Sequence, residues 1–100
     1  MNLDALLAAI KADYLKTNSP ESMVTRFNDG LKVNVGKKYI KVITGGSVWG
    51  FIVNTHDDAQ FAYGDILKPA SWAAPARNKA RGNVVAGDLS WVCWTGPQYL

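Results

Sequence analysis

A chain of 100 residues that is 48% hydrophobic, 11% aromatic and 19% charged, with a net charge of +3, has the composition of one globular domain and not of a disordered tail. Its single cysteine, Cys93, excludes an internal disulfide and a multi-cysteine zinc site, and its single histidine, His56, leaves little for a metal cage or a Ser-His-Asp triad. Apolar runs such as 48–53 are too short to cross a bilayer, and the first residues lack the pattern of a secretion signal. The expectation is a soluble, cytoplasmic, reduced domain with no cofactor and no metal.

The first sixteen residues predict a helix. Leu3, Leu6, Leu7, Ile10 and Tyr14 recur at spacings of three and four and so share one face. Asn2 suits an N-cap, Asp4 the positive first turn and Lys16 the negative last turn. Thr17, Asn18, Ser19 and Pro20 then stop it.

From Met23 onward the spacing predicts strands. Leu31, Val33 and Val35 alternate with Lys32 and Asn34, as in a strand with one wet face, and Asp29-Gly30 ahead of them reads as a hairpin turn. Gly36-Lys37 and Gly45-Gly46 bracket a strand at 39–44. The next, 48–55, is apolar on both faces and carries Gly50, which marks a bend or bulge. A short strand at 66–68 is entered through Gly64-Asp65, and 89–95 reads as a last long one. The resulting class is mainly β: one domain over 1–100, with a helix at 1–16 and about five strongly bent antiparallel strands over 23–95, a small barrel.

Charge is segregated along this chain. Residues 30–56 hold Lys32, Lys37, Lys38 and Lys41 and no acid, and residues 66–87 hold Lys68, Arg77, Lys79 and Arg81 and no acid. Such windows predict a positive face that attracts polyanions. Residues 69–83 interrupt the strand rhythm with two prolines, three cations and Trp72, and a long loop of this kind points to function. Within it Arg77, Asn78, Lys79, Arg81 and Asn83 suit phosphates and base edges, and Trp72 suits either stacking on a base or plugging the core.

Elsewhere, His56-Asp57-Asp58 reads as a polar turn in preference to a metal triplet, since neighbouring residues do not readily face one ion. Cys93 reads as a small buried hydrophobe, and Trp49, Trp91 and Trp94 as core or subunit-interface residues.

The run Arg81-Gly82-Asn83-Val84-Val85 resembles the second motif of the Sm/LSm RNA-binding proteins. Gly50, Asp57 and Gln60 loosely follow the first motif, with Phe61 where an asparagine would follow Asp57. The whole chain, notably 64–69 and 94–97, also resembles a family of small marine-metagenome proteins of cyanophage origin and Sm-like fold. These resemblances imply an Sm-like or SH3-like barrel in a homo-oligomeric ring. They imply base contact at Arg81, Asn83 and Gln60, with His56, Asp57 and Lys68 in the same candidate set. The function expected is non-catalytic binding of single-stranded RNA or DNA. The alternative is a structural or protein-interaction module of phage assembly.

Overall fold

The computed structural model describes all residues, Met1–Leu100. Two helices, α1 (Asp4–Leu15) and α2 (Glu21–Gly30), precede six strands: β1 (Leu31–Val35), β2 (Tyr39–Thr44), β3 (Ser47–Val53), β4 (Ile66–Leu67), β5 (Val92–Cys93) and β6 (Gly96–Pro97). The first four strands form an antiparallel sheet in the order β1-β2-β3-β4, and β5 and β6 form a separate hairpin. The whole is α+β, with strands in two sheets and no continuous hydrogen-bonded ring joining them.

Helix α1 forms where the apolar period places it. Leu6, Ile10 and Tyr14 are buried one turn apart, while Leu7 is only partly covered. The N-cap position is Leu3, but the Asn2 side chain still accepts a hydrogen bond from the Asp4 N–H at 2.8 Å. Asn18 adopts a left-handed φ of 56° and Pro20 starts the next helix, so the chain turns sharply between the two.

Helix α2 corrects the strand reading of this stretch. Asp29-Gly30 closes a helix and is not a hairpin turn. Pro20 fixes the backbone at the N-cap and Glu21 suits the positive first turn. The decisive contribution is tertiary: the Phe27 ring stacks on Tyr14 of α1 at 4.1 Å, a partner that local sequence does not reveal. Gly30 eases a close approach, because a Cβ there would sit 3.1 Å from the Gly45 nitrogen in the β2–β3 turn.

The sheet is buried on both faces at β3. Leu6 and Ile10 of α1 pack with Ile40, Val42, Trp49, Ile52 and Ile66 on one side. On the other side Phe51, Val53 and Leu67 pack with Phe61 of the following loop. The expected irregularity is present. Val42 pairs with Gly50 but Ile43 pairs with Val48, so Trp49 is the extra residue of a bulge. Its indole is 1% exposed and donates to the Cys93 carbonyl at 2.7 Å, which fastens the β5–β6 hairpin to the sheet. Gly50 admits that hairpin, since a Cβ there would lie 3.0 Å from the Leu67 oxygen and 3.2 Å from Pro97.

The long strand expected over 89–95 is reduced to Val92–Cys93. Its residues are held by other means: the Trp94 N–H donates to Asp13 of α1 at 2.8 Å, and Val92, Leu89 and Trp94 lie against the α1 side of the core. Trp94 also meets the Tyr14 and Phe27 rings edge-on.

Truncating Leu6 to alanine removes a fully buried side chain from this core and lowers stability by about 2–5 kcal/mol in urea unfolding. Leu15→Ala, at an exposed position on the same helix, changes it by about 0.5 kcal/mol or less.

Candidate nucleic-acid interface

The loop between β4 and β5, with the shorter one between β3 and β4, holds most of the polar residues singled out in the sequence. They divide into two groups. One group is tied up inside the fold and the other is open to solvent.

Asp58 is the centre of the first. Its side chain is 1% exposed, and one carboxylate oxygen accepts from the Gln60 N–H at 2.8 Å, the Phe61 N–H at 2.8 Å and the Arg77 guanidinium at 2.9 Å. The Arg77 hydrogen bond, followed by those from the two backbone N–H groups, holds this carboxyl well below the usual carboxylate range. Arg77 in turn donates to the Tyr39 hydroxyl and lies over the Phe61 ring, and Gln60 donates to the Arg77 carbonyl at 2.9 Å. Arg77 and Gln60 are therefore partners in a knot that closes the loop over Phe51 and Val53. Its ion pair with Asp58 also holds the Arg77 guanidinium above its ordinary value.

Arg81 is likewise spent internally. It is 2% exposed, and its guanidinium donates to the Asn78 side chain and the Lys79 carbonyl, both at 2.8 Å. Its backbone N–H bonds to Ile66, and the Gly82 carbonyl accepts from the Ile66 N–H, so the segment runs beside β4. Gly82 has a φ of 100°, and a Cβ on it would fall 2.4 Å from the Asp88 oxygen. Asn83 donates to Asp65 at 2.9 Å and to the Tyr63 carbonyl at 3.1 Å, and accepts from the Ala86 N–H at 2.8 Å. Arg81, Gly82 and Asn83 of the Sm-resembling motif thus brace the 64–66 segment against 83–88.

Other members of the set are also engaged. Lys68 donates to the Pro97 carbonyl at 2.6 Å and lies 3.9 Å above the Tyr99 ring. Burial, then the nearby Arg81 charge, lowers its pKa from the ordinary lysine value. His56 stacks on Tyr63 at 4.1 Å, while Asp57 is exposed. His56, Asp57 and Asp58 do not converge on a common point, because Asp58 is turned onto Arg77 and His56 onto Tyr63.

The second group is exposed. Asn78 and Lys79 lie on the surface, with the Lys79 ammonium 5.3 Å from the Trp91 ring centre. Trp72 is 55% exposed, which settles it as a surface residue and not a core plug. The Lys41 ammonium lies 4.5 Å from its ring centre and 5.8 Å from that of Phe51. Directly opposite residues of an antiparallel pair share a face. The pairing of Asn34 with Lys41 and of Lys41 with Phe51 therefore puts Lys32, Asn34 and Lys41 on the side of the sheet that Trp72 occupies. A groove of about 340 Å³ runs there past Asn34, Lys37, Tyr39, Lys41 and Phe51. Lys32 and Lys41 belong to the acid-free window at 30–56 that the sequence marks as a positive face, although the individual site residues expected from sequence centred on the 69–83 loop, and Asn34 was not among them.

Residues 1–99 match a family described as a family of unknown function, DUF7717. The chain belongs to that family. No curated protein and no solved structure matches it. No helix is long and apolar enough to cross a membrane.

Because the native pKa of Asp58 lies below its unfolded value, its contribution to stability is complete above the ordinary aspartate pKa of about 3.9 and is lost as pH falls below it. Asp58→Asn therefore lowers the melting temperature at neutral pH. The gap to the wild type narrows steadily as melting is followed into acid.

Proposed function

We propose that this chain binds single-stranded RNA or DNA without acting on it chemically, along the face that carries Trp72 and Lys41. The observation that carries this reading is the exposed Trp72 ring with a lysine ammonium 4.5 Å from its centre. An aromatic surface for an unstacked base and cations for the neighbouring phosphates are the two parts that single-strand recognition combines. Lys32, Lys37 and Lys38 extend the positive surface from β1 through the turn that follows, within a stretch of sequence holding no acid. A base stacks only when it is free of a duplex, which favours single strands.

The same reading includes an Sm-like architecture. Support comes from a helix ahead of an antiparallel meander, a bulge beside Gly50, and the Arg81–Asn83 segment bonded alongside β4. Here the Arg81 side chain braces the loop and the exposed sheet face meets the strand. β1 is an edge strand whose last residue, Val35, is 73% exposed, an edge on which a neighbouring subunit of a homo-oligomeric ring can pair.

Titration of short labelled oligonucleotides by fluorescence anisotropy, at several salt concentrations, tests the binding. Trp72→Ala weakens affinity by about 1–3 kcal/mol with an unchanged melting temperature. Lys32→Gln and Lys37→Gln each reduce the slope of log affinity against log salt by about one. Absence of binding at low salt overturns the proposal in favour of a protein-interaction module. Arg81→Ala lowers the melting temperature first, since it removes a buried side chain whose guanidinium bonds the Asn78 side chain and the Lys79 carbonyl.

Sedimentation tests the assembly separately. A species several times the 10.9 kDa chain mass is expected, and a clean monomer at micromolar concentration removes the ring.

A further inference from the structure

A second concavity lies where α1, α2, the β2–β3 turn and the residues after β5 meet. Its volume is about 440 Å³, within the range of small-molecule sites. Tyr14, Phe27 and Trp94 form an aromatic wall, held by the stacking of Tyr14 on Phe27, the edge-on contacts of Trp94 with both, and the bond from the Trp94 backbone N–H to Asp13. Met23 adds a flexible apolar side chain that is 47% exposed. Thr44, Ser47 and Thr95 are polar members of the lining. The mouth is open beside the turn, since a Cβ on Gly45 would meet nothing within 4 Å.

Charge decides what would fit. Arg26 is the sole ionic residue lining the cavity, and no carboxylate faces it. The chain's two ion pairs, Lys16–Asp13 and Arg77–Asp58, leave Arg26 without an acidic partner. An apolar aromatic wall with one uncompensated guanidinium at its edge complements a ligand with the reverse layout: a flat hydrophobic ring system bearing a single negative group. Guanidinium binds such a group through paired, charge-assisted hydrogen bonds, and the ring shields that pairing from water.

We propose that this cavity binds a small planar aromatic monoanion, an aromatic carboxylate or sulfonate, with the ring against Phe27 and Trp94 and the anionic group on Arg26. Ser47 of the β2–β3 turn borders both this cavity and the cleft beside Trp72, but the other lining residues lie away from the Trp72 face, and the proposal does not depend on the nucleic-acid reading.

The probe is 8-anilinonaphthalene-1-sulfonate, with N-phenyl-1-naphthylamine as its uncharged counterpart, both titrated by fluorescence on the folded chain at neutral pH. The sulfonate saturates at one molecule per chain and binds about tenfold more tightly than the neutral compound, the scale of one charge-assisted contact. Arg26→Gln, at an exposed helical position, brings the sulfonate down to the affinity of the neutral probe and leaves the latter unchanged. Ser47→Trp, which fills the mouth, abolishes both. The proposal is overturned if Arg26→Gln binds the sulfonate as tightly as the wild type, if binding does not saturate at one per chain, or if inorganic sulfate alone displaces the probe.

Discussion

Strand β3 is apolar on both of its faces, and a strand of that kind cannot remain in a two-layer fold with one side wet. Ile52 points to α1 while Phe51 and Val53 point away from it, so the chain must supply a cover for each side. Helix α1 covers the first. The second is covered by irregular chain, which cannot satisfy its own backbone groups as a helix does. It therefore needs side chains to hold it down. The Asp58–Arg77–Tyr39 knot and the Arg81–Asn83 brace meet that need, and they use up the charged residues that looked most suited to a ligand.

The covering arrangement also explains which parts of the fold could be read from sequence. α1 was legible because its period needs only local spacing, and the Gly50 bulge because glycine in a strand has few other uses. α2 was missed although Met23, Val24 and Phe27 stand at helical spacing: none of its residues is buried, and it is fixed by Phe27 meeting Tyr14. The stretch 89–95 has the alternation of a strand, yet it is held by Asp13 and the Trp49 indole and only a two-residue pairing survives. Patterns of polarity report burial, and burial can be reached without a ladder.

The candidate site was legible only in part. Arginine and asparagine in a glycine-containing loop are equally fit to hold a phosphate or to hold the loop, because the same donors serve both. Position relative to the core decides, and sequence does not give it. Trp72 and Lys41 lie 31 positions apart, on a loop and a strand, and nothing local joins them. What the sequence did carry was the absence of acids from 30–56, a collective property that survives folding because three consecutive strands keep that stretch together.

The bond between the Trp94 N–H and the Asp13 carboxylate spans 81 positions of chain. Together with the indole of Trp49 on the Cys93 carbonyl, it makes the β5–β6 hairpin a clasp that fastens the α1 side of the core only when residues from both halves of the sequence have met. Contacts of such separation are reached by diffusive search, and the entropy of closing the intervening loop must be given up before any of them contributes. The rate at which this domain folds is accordingly set by its topology more than by the strength of its interactions. Substitutions that loosen the clasp act mainly on how fast the native state reopens, to the degree that the clasp forms after the barrier is crossed.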